Sequence, residues 1–231
     1  MPQASDDPRI PLLLLLSGTT GLVDAASVLG LGKVFTANMT GNVVFLGFAA
    51  AGTPGFKAAP FLVAIVSFMA GALIAGRAAK AHVGHTERRR LLTAAAFETT
   101  LLWIAALVAS RLDNLAQAPS GRLLAVIALT GAAMGYRNAM VRQLKVADLT
   151  TTVLTLTLTG LSADSSVAGG GNPNWRRRVG AIVAMFAGAA LGAALLLQFG
   201  VWVPLSVAGA LVLLGTVACS VHPASRNLIS A

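Results

Sequence analysis

The chain reads as an all-α polytopic membrane helix bundle built from two repeated halves. It has six spans plus two re-entrant or broken helices, with eight full spans as the alternative. Three observations predict this. The 231 residues are 56% hydrophobic and only 11% charged, against about 25% charged in a soluble domain, too few to cover a globule of this size. The apolar residues gather in runs, most of them about 20 residues long, which is enough to cross a bilayer. The basic residues collect in short loops between those runs. A net charge of +9 is therefore a topology signal rather than the mark of a nucleic-acid partner. The partner that composition requires is the lipid bilayer.

Taken in order, residues 1–9 are a polar tail, and Arg9 and two acids precede the first apolar run. That run, 10–29, is read as a retained first helix rather than a cleaved signal, because more spans follow it. It holds Asp24, with Thr20 and Ser27 on the same helical face. Gly30-Leu-Gly32-Lys33 breaks the helix. A polar stretch follows, Val34-Phe-Thr-Ala-Asn38-Met-Thr40-Gly-Asn42-Val43, which runs on apolar to residue 51 and stops at Gly52-Thr-Pro54-Gly55. The third run is 58–76. The basic loop 77–90, with Arg88-Arg89-Arg90, is the strongest cytoplasmic signal in the chain. Residues 91–110 form a fourth run with Glu98, Thr99 and Thr100 inside it. A polar loop, 111–121, leads to the fifth run, 122–140, which closes on Arg137-Asn138-Ala139.

A second polar stretch, Ala147-Asp148-Leu-Thr150-Thr151-Thr152-Val153, comes about 110 residues after the first. Its continuation, Thr155-Leu-Thr-Leu-Thr159, alternates as a strand would. An isolated strand leaves its backbone unpaired in lipid, so this segment is read as a helix or half-helix. A linker ending in Arg176-Arg177-Arg178 precedes the last two runs, 179–199 and 201–221.

Three matches point to internal duplication over approximately 10–115 and 120–222. Gly21-x-x-Asp24-Ala25 lies over Gly135-x-x-Asn138-Ala139. Asn38-Met-Thr40-Gly-Asn42 lies over Asp148-Leu-Thr150-Thr151-Thr152. Ala64-Ile-Val66 with Ala70-Gly-Ala72 lies over Ala181-Ile-Val183 with Ala187-Gly-Ala189. The offsets are 114, 110 and 117 positions. If both motif elements cross the membrane, each half has four spans, the repeats are parallel, and one strongly basic loop falls on the wrong side. If both enter and leave on one side, six spans remain and every strongly basic segment faces the cytoplasm. The repeats are then inverted, a recurring design in transporters.

The residues Gly21-x-x-Asp24-Ala25, Asn38-Met-Thr40-Gly-Asn42 and Arg137-Asn138-Ala139, with Asp148-Leu-Thr-Thr-Thr-Val-Leu-Thr155, resemble the YoaK family of bacterial inner-membrane proteins. The resemblance covers nearly the whole chain, and Asn-Met-Thr-Gly-Asn is its most specific part. It implies a bacterial multi-pass inner-membrane protein carrying a domain of unknown function, and it supplies no catalytic residues.

The residues themselves suggest a site for a small polar solute or ion: Asp24, Asn38, Thr40, Asn42, Asn138, Asp148, Thr150, Thr151 and Thr152. Amides and hydroxyls offer donors and acceptors that lipid cannot satisfy, and Asn38 stands where a helix N-cap would. The competing reading is interhelical hydrogen bonding that only holds the fold, worth about 1 kcal/mol or less per bond. Asp24 and Glu98 are intramembrane carboxylates, functional by default, or structural if paired with Arg137 or Arg142. Gly131-x-x-x-Gly135 and Gly188-x-x-x-Gly192 allow close helix approach, for packing within the chain or for a homo-oligomer face. His82, His85 and His222 have no accompanying ligand pattern, and neither cofactor motif nor enzyme constellation is visible. A membrane enzyme using Asp24 and Glu98 would need both to face one cavity. The expectation is an inner-membrane transporter or channel, with a non-transporting scaffold or accessory subunit as the alternative.

Overall fold

A computed structural model describes residues 7–81, 86–112, 120–144 and 154–221. In these, eight α-helices follow one another: α1 Arg9–Gly30, α2 Met39–Ala50, α3 Ala58–Ala81, α4 Glu87–Ala109, α5 Gly121–Leu144, α6 Leu154–Ala163, α7 Trp175–Phe199 and α8 Trp202–Val221. Six are long and apolar enough to cross a membrane. Helix α2 has 12 residues and α6 has 10. At the helical rise these measure about 18 and 15 Å, well short of a hydrocarbon core about 30 Å thick.

The helix ends follow local chemistry. Helix α1 stops where Gly32 (φ 87°) and Lys33 (φ 66°) take left-handed backbone, which glycine adopts at little cost. Helix α4 starts at Thr86, whose side chain accepts the Arg89 N–H. Several helices reach beyond the apolar runs. Helix α3 carries Arg77 and Lys80, α4 begins with Glu87 and the Arg88–Arg90 triplet, and α5 extends through Arg142. Long basic side chains lie along the helix and put their charge in the interface, so the charge that bounds a span need not end the helix. The threonine-rich segment expected to be helical is so, as α6.

The packing has a two-fold pattern. Helix α1 packs on α7, and α3 packs on α5. Helix α4 packs on α8, α4 also meets α5, and α1 also meets α8. The short helices sit on their successors, α2 on α3 and α6 on α7. Exchanging the two halves turns each of these contacts into another on the same roll. The register agrees residue by residue. Gly21 of α1 backs onto the Met185 carbonyl of α7, and Gly135 of α5 backs onto the Phe68 carbonyl of α3. Gly188 meets the Gly18 carbonyl, and Gly71 meets the Ala132 carbonyl. The partners are related by the same offsets of 114 and 117 positions that the sequence matches carry. A Cβ at any of these four glycines would run into backbone, so the two seams require hydrogen there. The Gly-x-x-x-Gly motifs are thus used inside the chain.

Helix directions decide between six and eight spans. Helices α1 and α7 run parallel, since Gly18 faces Ala184 while Gly192 faces Leu22. Helices α4 and α8 run antiparallel: Thr99 donates to the Gly209 carbonyl at 3.1 Å, and Trp103 to the Ser206 carbonyl at 3.2 Å. If α6 crossed the membrane, α8 would point the same way as α4. It does not, so α6 does not cross. With α6 excluded, the parallel pair α1 and α7 excludes α2 as well. Six crossings remain, α1 and α5 point oppositely, and the halves are inverted.

The charges give the sides. Arg9, Arg77, Lys80, Arg88–Arg90, Arg142 and Arg176–Arg178, ten basic residues, lie at one end of the bundle. Lys33, Lys57, Arg111 and Arg122 lie at the other. The first end is cytoplasmic. Half-exposed Trp175 and Trp202 begin their helices at opposite ends, where indoles suit the interface.

Candidate functional site

The polar residues of the spans form two clusters. The outer cluster is centred on Asp24, in the outer half of α1 and 8% exposed. Its carboxylate reaches the chain between α1 and α2. The backbone N–H of Ala37 donates to Oδ1 at 3.1 Å, and that of Thr36 at 3.3 Å. The Asn38 side-chain amide donates to Oδ2. Three donors on one carboxylate fix a non-helical segment at membrane depth, where its N–H groups have no water to turn to.

Asn42 closes the same segment from the other side. Its Nδ2 donates to the Phe35 carbonyl at 2.6 Å, and its Oδ1 accepts the Phe35 N–H at 3.0 Å. The side chain is fully buried and acts as a surrogate strand edge for one residue. The Thr36 hydroxyl, also fully buried, has no hydrogen-bond partner.

The inner cluster is built on Arg137 of α5, 2% exposed. It makes a buried ion pair with Glu98 of α4. Its second terminal nitrogen donates to the Leu16 carbonyl at 3.1 Å and to the Thr20 hydroxyl at 3.0 Å, both on α1. Three spans therefore meet at one guanidinium, whose fork supplies several donors in fixed geometry. Arg137 also acts electrostatically on Asp24. Glu98 holds Arg137 directly, whereas Asp24 is bonded to neutral donors. A cavity of about 30 Å³ lies beside the Glu98–Arg137 pair, and Asp24 is not among its lining residues. Glu98 and Asp24 therefore do not share this cavity.

The placement of the expected site residues is mixed. Asp24 and Asn38 come together directly, and Asn42 braces the loop that joins them. Asn38 occupies the N-cap position of α2 but makes no side-chain cap bond; a buried carboxylate is the stronger acceptor, and it takes the amide instead. Thr40 is exposed on the first turn of α2 and is not drawn into the cluster. Asn138 donates to the Met134 carbonyl one turn earlier at 2.9 Å. Asp148, Thr150, Thr151 and Thr152 lie outside the described residues, as do His82, His85 and His222. Of the two arginines considered for the carboxylates, Arg137 pairs with Glu98, whereas Arg142 is exposed.

Sequence reasoning missed the Thr36 and Ala37 N–H groups, because a backbone donor has no signature in a side-chain pattern. It also passed over Thr20 and the Leu16 carbonyl as holders of Arg137. The available signal was an arginine within a span, which must find acceptors. Cys219, in the last run, is buried, and its thiol donates to the Pro8 carbonyl at 3.3 Å. Among the described residues no group of three or more His, Cys, Asp or Glu could hold a metal.

Comparison with known proteins agrees with this architecture. The family described as "Protein of unknown function (DUF1275)" matches residues 12–218. The UPF0700 transmembrane protein YoaK of Bacillus subtilis (strain 168) is 34% identical over 162 residues, covering 68% of this chain and 68% of the relative. No solved structure matches the chain.

Proposed function

This chain belongs to the DUF1275 family, as a multi-pass protein of the bacterial inner membrane, and from that premise we propose that it is a transporter or channel for a small polar solute or ion. The halves are the duplicated segments 10–115 and 120–222, inverted about an axis in the membrane plane. The path runs between α1, α4 and α5, past Asp24, Thr20, Arg137 and Glu98. Asn38 and Asn138 flank it, and Asp148 with Thr150–Thr152 are counted among the solute-contacting residues on their sequence pattern alone.

One observation carries this reading: a chain of buried charged groups drawn from three different spans, where the inverted halves meet. Charged groups at membrane depth are expensive and usually mark a pathway. Broken helices at a repeat interface are where transporters place their sites. The second reading, a non-transporting scaffold, draws on the complete internal bonding of Asn42 and of Asp24.

Proteoliposome swelling against a panel of small neutral solutes and monovalent ions separates the two. Transport predicts permeability above empty vesicles, lost in Asp24→Asn and Asn38→Ala variants that remain folded. Permeability equal to that of empty vesicles across the panel would refute it, and so would variants that conduct like the parent. The topology beneath it is checked by single cysteines in place of Thr53 and Ser166. An impermeant thiol reagent should reach the first only from outside and the second only from the cytoplasmic face. Labelling of both from one face would remove the inverted arrangement.

A further inference from the structure

The Glu98–Arg137 pair has three features that packing alone does not explain. The Nε of Arg137 is buried with no hydrogen-bond partner, which a fold-stabilising arginine normally avoids. Glu98 is held through Oε1 only, so its second oxygen stays available. And a cavity of about 30 Å³ beside them is lined by Glu98, Arg137 and Thr216 and, on its inner side, by Leu12, Leu91 and Leu144. Those three leucines lie in the terminal turns of α1, α4 and α5 at the cytoplasmic end. The volume suffices for a water, which needs about 10–15 Å³ and polar partners, and the free carboxylate oxygen of Glu98 and the Thr216 hydroxyl belong to residues that line it.

The charges around the pair are few. Helix α5 contributes Arg137, and α1 contributes Asp24 as the carboxylate inside its span. Helix α8 carries no charged side chain. Helix α3 brings only Arg77 and Lys80, both exposed at the inner end, where Arg90 of α4 bonds Gln143 at 2.7 Å. Two carboxylates against one guanidinium leave one negative charge uncompensated at membrane depth, where an unpaired charge is costly. A metal cation would need several oxygen ligands. The oxygens at hand are the free Glu98 oxygen and the Thr216 hydroxyl, since the Leu16 carbonyl and Thr20 hydroxyl already accept from Arg137. A proton needs one oxygen.

We propose that Glu98 is a proton acceptor reached from the cytoplasm through this water-sized cavity, and that its protonation couples proton movement to transport. A hydronium ion in the cavity gives its proton to the free Glu98 oxygen and leaves as water. The carboxylate becomes a neutral acid, and no other bond changes. The coupling role rests on the transport reading above; the proton site does not.

The test is infrared difference spectroscopy of the full chain in lipid nanodiscs, titrated from neutral to acidic pH. The wild type should gain a protonated-carboxyl carbonyl band that is lost in Glu98→Gln and kept in Asp24→Asn. Glu98→Asp, which keeps a carboxyl, should keep the band at a shifted position, and it decides the matter if Glu98→Gln fails to fold. A band unchanged in Glu98→Gln, or lost only in Asp24→Asn, overturns the proposal. A band erased by sodium at fixed pH makes this a cation site and overturns it too. The spectra need no gradient, so absence of flux with an intact band counts against transport alone.

Discussion

Helix α2 is held against α3 by aromatic rings, and α6 is held against α7 by an ion pair. On the outer side Phe45 lies with its ring centre 5.3 Å from Phe56 and 5.7 Å from Phe61. Phe35 and Phe48 join the same cluster, and the Lys33 ammonium sits 5.1 Å from the centre of the Phe56 ring. On the inner side Arg178 lies over Gly160, where a Cβ would strike its guanidinium, and pairs with Asp164 at 2.8 Å. Arg178 stands 117 positions after Phe61, the same offset that relates the seams. The two halves thus fill one structural position with a buried phenyl ring on the outer side and a buried guanidinium on the cytoplasmic side. The two halves have a common frame, set by four glycines on two seams, and differ in the wedge under each short helix. A cation under α6 also serves the charge bias.

This comparison can be broken from its strongest side first. Phe61→Ala should unseat α2 at a cost of about 3 kcal/mol, the low end for phenylalanine truncation because the reference surroundings are lipid rather than water. Thermal unfolding in nanodiscs reads this as a lower midpoint. Little change would mean the rings do not hold α2.

The shared frame is sharpened by a matched pair. Gly71→Ala and Gly188→Ala each push a methyl into a backbone carbonyl of the facing helix. Each should cost about 1–3 kcal/mol as overpacking, and by nearly equal amounts. Strongly unequal midpoints would show that the two seams are not equivalent.

The smallest effect belongs to the inner wedge. Asp164→Asn should cost about 1 kcal/mol or less, since the Asp164 side chain is 45% exposed and solvent screens the pair. Parent and variant should converge in unfolding midpoint as salt rises, because screening removes the difference. A salt-independent difference would mean that Asp164 acts through packing.

Much of the fold was legible because the bilayer reads a sequence locally. Span length, loop charge and the repeat offsets are one-dimensional quantities, and 10–29, 58–76 and 179–199 needed only their ends adjusted. The site was less legible. Asp24 and Asn38 were found because both stand out in apolar surroundings. The loop N–H groups that complete the cluster leave no trace in side-chain pattern. Asn38 stands at a cap position in the sequence, and only folding brings a buried carboxylate within its reach.

By itself the sequence determined a membrane protein with two similar halves, basic toward the cytoplasm, and with polar stretches before its second and sixth elements. Hydrophobic length and charge suffice for that, since transfer into lipid is decided segment by segment. Only the tertiary structure decided that α6 does not cross, through the antiparallel pairing of α4 with α8. It alone gave Arg137 to Glu98, 39 positions away, and to Thr20, 117 positions away. The reason is physical: a buried charge accepts whichever partner packing brings within bonding distance, and that distance is set by helix direction and glycine seams rather than by separation along the chain.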